Sequence, residues 1–244
     1  MNPRRFAARL LPSRNMTLPV VAGPLRGRWL SANFSHHPQY LFGAHEPTVA
    51  RLIRQHLRPG DIAYDIGANI GYFSILMASM VRPGGKVFAF EPSPRSFSQL
   101  EKNAKRNASL PLMPLQVALT DKVGKGPFSD FDYDVVSHLG DDSNAYPDAN
   151  VVTVSLDTVD HMVAEGRTPV PTFLKIDVEG AEVDVINGMG DLLARQRPVM
   201  LVELHGAEIE AEVLRRLTAA GYAAQMFGTD LPRHGLFKPT ANAR

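Results

Sequence analysis

The sequence predicts an α/β fold, because short apolar runs alternate with amphipathic stretches along most of the chain. Residues 62–66, 86–91 and 115–119 are apolar runs of strand length, and turn-forming residues such as Pro83-Gly84-Gly85 separate them. Strands separated by helices in this way form parallel sheets with right-handed crossovers. We therefore predict a doubly wound, Rossmann-like sheet that is mostly parallel.

The helices of the first half are predicted from their apolar faces and their boundaries. Pro47 begins a stretch with Val49, Leu52 and Ile53 on one face, and Arg58-Pro59-Gly60 ends it. Further helices are expected between the strands, at residues 71–81 and from Pro94 to about Asn107.

The second half continues the alternation after an interruption. Residues 121–150 contain glycines and scattered aspartates, so we expect an acidic insert of loops around a short strand or hairpin, mobile or facing the acceptor. The remaining segments are predicted as strands 151–155, 172–177, 199–204 and 222–227, with a last strand near Leu236-Phe237, and as helices 156–165, 180–188 and 208–220. The central sheet then has seven strands and closes with a C-terminal antiparallel hairpin.

Length and composition fit one enzyme-sized domain. The chain has 244 residues, 44% of them hydrophobic, which can form a proper core. It has no cysteine, which excludes disulfides and cysteine nucleophiles. A net charge of +1 argues against a general nucleic-acid binder, and no apolar run of about 18 residues suggests a membrane span. Leu10-Leu11 followed by Pro12 is a poor secretory signal, so we expect a cytoplasmic protein.

Positive charge is concentrated at the start of the chain. Six arginines precede the first acidic residue, Glu46: they are Arg4, Arg5, Arg9, Arg14, Arg26 and Arg28. We therefore divide the chain into a basic N-terminal arm, residues 1–45, and a single α/β domain, residues 46–244. The arm is either a solvated leader or a peripheral contact for an acidic lipid, a phosphorylated acceptor or a partner protein.

A nucleotide-binding turn follows the first central strand. It contains Asp65, Gly67, Asn69 and Gly71 at alternate positions, where glycines allow a tight bend and the following helix start leaves amide hydrogens unpaired. Glu91 follows the next strand, and a carboxylate at that strand tip can accept hydrogen bonds from both hydroxyls of a ribose.

The details of this turn favour a cationic ligand over a dinucleotide. A dinucleotide fingerprint needs a glycine where this chain has Asn69, and Asp65 would repel phosphate while suiting an amino or sulfonium group. The turn resembles the cofactor loop of class I S-adenosylmethionine-dependent methyltransferases. The alternatives are a nicotinamide-dependent dehydrogenase or a simple tight turn.

A second constellation narrows the resemblance. Lys175, Asp177 and Glu179 follow one another at alternate positions where an apolar strand ends. Charges in such a place need partners or serve a site. With Leu156-Asp157 and the run from Val202 to His205, this strand resembles FkbM-type methyltransferases, over roughly residues 61–206.

The resemblance implies methyl transfer from S-adenosylmethionine to a hydroxyl of a small molecule, sugar, glycolipid or polyketide. It implies that Asp65, Gly67, Asn69 and Gly71 surround the methionine part and ribose, and that Glu91 holds the ribose hydroxyls. The loop from Ala118 to Asp121 would flank adenine, and Asp177 would lie near the methionine amine or the acceptor. A non-catalytic S-adenosylmethionine-binding module is a further alternative.

The candidate catalytic residues are His205 and Asp177. An ordinary histidine pKa of about 6.5 suits His205 to accept the acceptor's proton. Aligning the strand exits predicts Asp177 beside His205 and an ion pair of Lys175 with Glu203 below them. Asp177, Glu179, Glu203 and His205 could instead hold Mg²⁺ or Mn²⁺. The other histidines are expected at the surface or in packing, except that His138 could face the acceptor.

Overall fold

The computed structural model describes residues 11–131, 137–140 and 150–240. Arg4, Arg5 and Arg9 of the predicted arm lie outside these residues, as do the insert's Asp132, Asp134, Asp141, Asp142 and Asp148.

Helices and strands alternate as the sequence predicts. In chain order they are β1 Met16–Pro19, β2 Trp29–Ala32, α1 Pro38–Leu41, α2 Pro47–His56, β3 Ile62–Ile66, α3 Tyr72–Met80, β4 Lys86–Phe90, α4 Pro94–Arg106, β5 Leu112–Leu115, β6 Ala118–Leu119, β7 Gly124–Asp130, β8 His138–Leu139, β9 Asn150–Asp157, α5 Val159–Ala164, β10 Phe173–Ile176, α6 Glu182–Asn187, α7 Gly190–Arg195, β11 Val199–Leu204, α8 Ala207–Ala219, β12 Tyr222–Phe227 and β13 Arg233–Pro239.

The central sheet has seven strands in the order β12-β13-β11-β10-β3-β4-β5. Its first five strands along the chain run parallel, and β13 runs antiparallel to both β11 and β12. This confirms the predicted mostly parallel sheet with a C-terminal antiparallel hairpin. The chain moves outward from β3 through β4 to β5 and then returns to β10 on the other side of β3. Such a reversal opens a crevice at the carboxyl ends of β3 and β10, where ligands bind in open α/β sheets.

Helices cover both faces of this sheet. Alternate strand residues point to opposite faces, so Ala63 and Phe173 enter one core while Tyr64 and Leu174 enter the other. The first core includes buried residues of α2, α3 and α4, and the second includes buried residues of α5 to α8. Among the described residues, no helix is both long and apolar enough to cross a membrane.

The predicted third strand is displaced. The sequence suggested residues 115–119, whereas β5 ends at Leu115 and Ala118–Leu119 form β6 of another sheet. The chain turns sharply there, because the amide of Val117 donates to the carbonyl of Leu115 at 3.1 Å. After that turn, β6 pairs with β9.

The insert contributes to a second sheet of four strands, in the order β6-β9-β7-β8. Strand β7 pairs antiparallel with β9 from Gly124 to Asp130, and Phe128 packs with Val154 and Leu156. The sequence predicted loops around a short strand or hairpin here, and the described part of the insert forms strands β7 and β8 of this sheet.

From residue 16 onward, the predicted N-terminal arm packs against the rest of the fold. Strands β1 and β2 form an antiparallel ribbon, and Val20, Leu25, Leu30 and Phe34 are buried in the first core. Helix α4 holds the ribbon, since the amide of Ser31 donates to Asn103 Oδ1 at 2.5 Å. The position of this segment is therefore determined by its buried apolar residues, and not by its arginines.

Candidate active site

The turn after β3 brings the two central strand exits into contact. Gly67 has a φ of +79°, and a Cβ there would lie 1.7 Å from the carbonyl oxygen of Asp177, which follows β10. Asn69 also adopts a left-handed conformation, with φ of 49°. A side chain at position 67 would thus strike Asp177 itself. Glycine is needed here so that the two exits can touch.

Gly71 allows two helices to pack closely and lines neither of the site's two cavities. Its φ is +86°, it caps α3, and a Cβ would lie 2.5 Å from Leu100 Cδ1 of α4. The structure therefore places this predicted cofactor residue behind the turn, where it lets α3 and α4 approach each other.

A cavity of about 420 Å³ opens beside the turn, at the carboxyl ends of β3 and β4. Five of the predicted cofactor residues line it: Gly67, Asn69, Glu91, Ala118 and Asp177. Val117, Leu119 and Phe128 add apolar surface. Its size is typical of small-molecule sites, which combine apolar walls with a few directed polar groups.

Glu91 connects this first cavity to the turn. Its Oε2 accepts from the amide of Asn69 at 2.7 Å and its Oε1 accepts from the amide of Ser93 at 2.9 Å. Burial raises the pKa of Glu91 to about 7, although the two amides act in the opposite direction. The carboxylate thus both lines the cavity and fixes the turn.

Lys175 lies between two carboxylates under the turn. Its Nζ donates to Asp177 Oδ2 at 2.8 Å and lies 3.7 Å from Asp65 Oδ1. Burial alone would lower the pKa of Lys175, but Asp177 and Asp65 raise it. Asp65 also accepts from Ser74 Oγ at 2.5 Å and lines neither cavity. Asp65 therefore supports the site from below instead of facing the predicted ligand.

The predicted pairing of Lys175 with Glu203 is wrong. Lys175 is level with Leu201 of β11 and with Asp65 of β3. The alignment by strand exits assumed a register that is shifted by two residues from the observed one. In the observed register, Lys175 lies beside Asp65.

His205 belongs to a network of carboxylates. Its Nδ1 lies 2.7 Å from Glu182 Oε1 and its Nε2 lies 2.9 Å from Glu179 Oε2, with Asp177 farther away at 3.9 Å. Burial lowers the pKa of His205, but the bonds with Glu179 and Glu182 outweigh it and raise the pKa to about 10. His205 is an imidazolium at neutral pH and lines neither cavity. This protonation state corrects the ordinary pKa on which its predicted role as a base rested.

A second cavity of about 210 Å³ adjoins the first. Both cavities are lined by Tyr40, Gly67, Asn69, Ile70, Asp177 and Glu179. The second is also lined by His45, Glu46, Tyr72, Phe73, Lys175 and Glu203. The turn and the exit of β10 thus form a wall between two chambers.

Sequence reasoning missed most of the second cavity. His45 was expected at the surface or in packing, and its ring does pack, 4.5 Å from that of Tyr40, 5.1 Å from Tyr72 and 5.3 Å from Phe73. The sequence did not indicate that His45 also lines a cavity. Burial lowers the pKa of His45. One signal in the sequence could have indicated this cavity. His45 and Glu46, two polar residues, immediately precede the helix that begins at Pro47, where the N-terminal segment joins the core.

Two groups of ligand atoms have the spacing of a metal site. They are Glu46, Glu203 and His234, and Asp177, Glu203 and His205. Burial lowers the pKa of His234, but the nearby carboxylates of Glu203 at 3.4 Å and Glu46 at 3.7 Å outweigh burial and raise the pKa to about 9. A metal needs a neutral imidazole. Protons therefore compete with a metal for both histidines at neutral pH.

The fold places both cavities at the carboxyl ends of the central strands, where ligands bind in open α/β sheets. The profile of the methyltransferase FkbM domain matches residues 65–224, and the chain belongs to that family.

Two relatives have named activities. A hexuronic acid methyltransferase, AglP, of Haloferax volcanii is 28% identical over 181 residues, covering 74% of this chain and 71% of the relative. The 31-O-demethyl-FK506 methyltransferase FkbM of Streptomyces tacrolimicus is 28% identical over 199 residues, covering 68% of this chain and 74% of the relative.

Solved structures show the same fold. The methyltransferase FkbM from Methylobacillus flagellatus superposes with a TM-score of 0.56 at 12% identity, covering 97% of this chain and 58% of that one. A precorrin-6y C5,15-methyltransferase from Geobacter metallireducens superposes with a TM-score of 0.52 at 12% identity, covering 79% of this chain and 87% of that one. Family membership identifies S-adenosylmethionine as the cofactor, as the sequence predicted.

Proposed function

We propose that this enzyme transfers a methyl group from S-adenosylmethionine to a hydroxyl group of a sugar or polyketide. The observation that carries the proposal is the pair of cavities that meet at Gly67 and Asp177. The names of the two relatives support an acceptor of this kind. Family membership sets aside the alternative of a nicotinamide-dependent dehydrogenase.

The groups lining the first cavity fit the cofactor. Glu91 offers a carboxylate for ribose hydroxyls, Val117 and Leu119 offer apolar walls for adenine, and Asp177 and Glu179 offer negative charge for an amino group. When bound, S-adenosylmethionine supplies a methyl carbon attached to a positively charged sulfur.

The protein's first task is alignment. An in-line displacement needs the acceptor oxygen behind the methyl carbon, and holding reactants in such a geometry is worth about 7–11 kcal/mol. Lys175 fixes Asp177, and Glu91 fixes Asn69, so both sides of the wall between the chambers are held by buried polar contacts.

The second task is to accept the proton of the acceptor hydroxyl. General-base catalysis contributes about 10²–10⁴-fold. His205 carries a proton at neutral pH, so the candidates in the second cavity are His45, whose lowered pKa keeps it neutral, and the carboxylates of Glu46 and Glu203.

Incubation of the full chain with radiolabelled S-adenosylmethionine and fractionated glycolipids and metabolites of the host tests this function. We expect label in a fraction whose methyl group resists mild base, as an ether does. Cofactor binding without label in any fraction would support the non-catalytic module instead.

A further inference from the structure

The second cavity has more negative than positive charge around it. Four carboxylate residues line it: Glu46, Asp177, Glu179 and Glu203. Lys175 is the only lysine or arginine among the described lining residues, and the imidazoliums of His205 and His234 contact three of the four carboxylates without lining the cavity. These three cations leave an excess of negative charge, so a carboxylate that entered this partly desolvated cavity would be disfavoured.

Tyr72, which lines the same cavity, has a buried hydroxyl that lacks a partner. Tyr72 is only 2% exposed, and its hydroxyl has no hydrogen bond within the described part of the chain. Burial raises the pKa of Tyr72 to about 12, so the hydroxyl stays a donor. A buried polar group without a partner is uncommon in proteins, which indicates that something else satisfies it.

Glu46 supplies a matching acceptor. Its Oε2 has no hydrogen-bond partner among the described residues and lies 3.7 Å from His234 Nε2, beyond hydrogen-bond distance. Burial raises the pKa of Glu46, but His234 and His45 lower it more, so the side chain is a carboxylate. One ligand hydroxyl can accept from Tyr72 and donate to Glu46.

Aromatic rings form a further part of the cavity wall. Tyr40, Tyr72 and Phe73 surround His45 at ring distances of 4.5 to 5.3 Å. Flat apolar surfaces beside hydroxyl-binding groups suit a molecule with C–H faces and hydroxyl edges. The cavity has half the volume of the first, so it suits a small group.

We propose that the second cavity binds the acceptor as a polyhydroxyl group without a carboxylate, and that Tyr72 and Glu46 recognise one of its hydroxyls. This inference rests on the proposed function and narrows it. The acceptor then differs from the hexuronic acid named for the AglP relative.

Ligand-observed NMR titration tests the proposal on the full chain saturated with S-adenosylhomocysteine. The probes are methyl β-D-glucopyranoside and methyl β-D-glucuronide, which differ in the carboxylate. We expect the glucuronide to bind at least tenfold more weakly. Tyr72→Phe should weaken glucoside binding about three- to tenfold, and Glu46→Gln should do the same while narrowing the difference between the probes.

Tyr222→Phe is the matched control. Tyr222 is also 2% exposed with an unpartnered hydroxyl, but it lines neither cavity. Equal binding of the two probes, no binding of the glucoside, or equal effects of the two tyrosine variants would each overturn the proposal. The labelling experiment separates the two ideas: label transfer with any of these results leaves the proposed function intact, whereas glucoside binding without label transfer contradicts that function alone.

Discussion

At the scale of single residues, Lys175 is the cation that balances two carboxylates, the buried Asp65 and the partly buried Asp177. Its side chain is 5% exposed, and those of Asp65 and Asp177 are 1% and 20% exposed. Removing one partner from a buried ionic group leaves uncompensated charge, which is more costly than the net value of the group.

Lys175→Met should therefore lower the free energy of unfolding by about 3–5 kcal/mol. Urea denaturation followed by circular dichroism measures this change. Lys125→Met, at an exposed position of β7, is the control and should stay within about 0.5 kcal/mol of wild type. A Lys175 variant as stable as the control would show that Asp65 and Asp177 do not need this cation.

Glu91→Gln should weaken S-adenosylmethionine binding by about 1–3 kcal/mol. The amide has one acceptor oxygen where the carboxylate has two, and the carboxylate already accepts from both Asn69 and Ser93. Isothermal titration calorimetry on the folded variant measures its affinity for S-adenosylmethionine. An unchanged affinity would remove Glu91 from the ribose role.

Cofactor affinity should also depend on pH through Glu91. Because the pKa is raised to about 7, the acceptor form is depleted below that pH, and we expect affinity to rise between pH 6 and pH 8. Calorimetry across this range should show the rise in wild type and a flatter profile in Glu91→Gln. Parallel profiles would assign the pH dependence to another group.

At the scale of elements, the N-terminal ribbon is part of the folded core. Leu25→Ala should lower the free energy of unfolding by about 2–5 kcal/mol, because a fully buried side chain would be replaced by a cavity. Val21→Ala is the matched control, since Val21 is 51% exposed and should change stability little. Similar denaturation midpoints for both variants would contradict the packing described for this segment.

Elements with a strong local pattern could be predicted from sequence to within a residue or two. The helix expected at 71–81 is Tyr72–Met80, and the strand expected at 222–227 is Tyr222–Phe227. The failures depend on distant partners. Residues 118–119 join β9 only because the chain turns at Leu115, and the ribbon is held by Asn103 of α4 and by Asn107, which follows that helix.

The residues of the candidate site also divide into those that local sequence predicts and those that depend on distant contacts. Gly67, Asn69 and Glu91 belong to local strand-turn signals and line the first cavity as expected. His45 and Tyr72 meet only after α3 packs beside the segment before α2. The pKa of His205 could not be predicted either, because Glu182 is brought to it by a separate helix.

At the scale of the whole molecule, paired imidazoliums couple stability to pH. His205 and His234 have pKa values raised to about 10 and about 9, above their ordinary value of 6.5. A raised pKa means that the folded state holds the proton more tightly, so the stabilisation is complete below pH 6.5 and is lost as pH rises through 9 to 10.

The free energy of unfolding should accordingly fall between pH 6.5 and pH 10. Urea titrations at intervals across this range measure the slope. His205→Gln, which keeps a polar side chain but cannot take up a proton, should give a shallower decline. The same slope in variant and wild type would show that this histidine does not couple folding to pH.

The wall shared by the two chambers also has a thermodynamic consequence. Gly67, Asn69 and Asp177 border both cavities, so any shift of these residues caused by one ligand is felt by the other. If a bound cofactor changes acceptor affinity by some factor, the acceptor must change cofactor affinity by the same factor. If the two cavities hold cofactor and acceptor as proposed, any change that one ligand makes in these residues links their binding, and release of the spent cofactor would be coupled to departure of the methylated product.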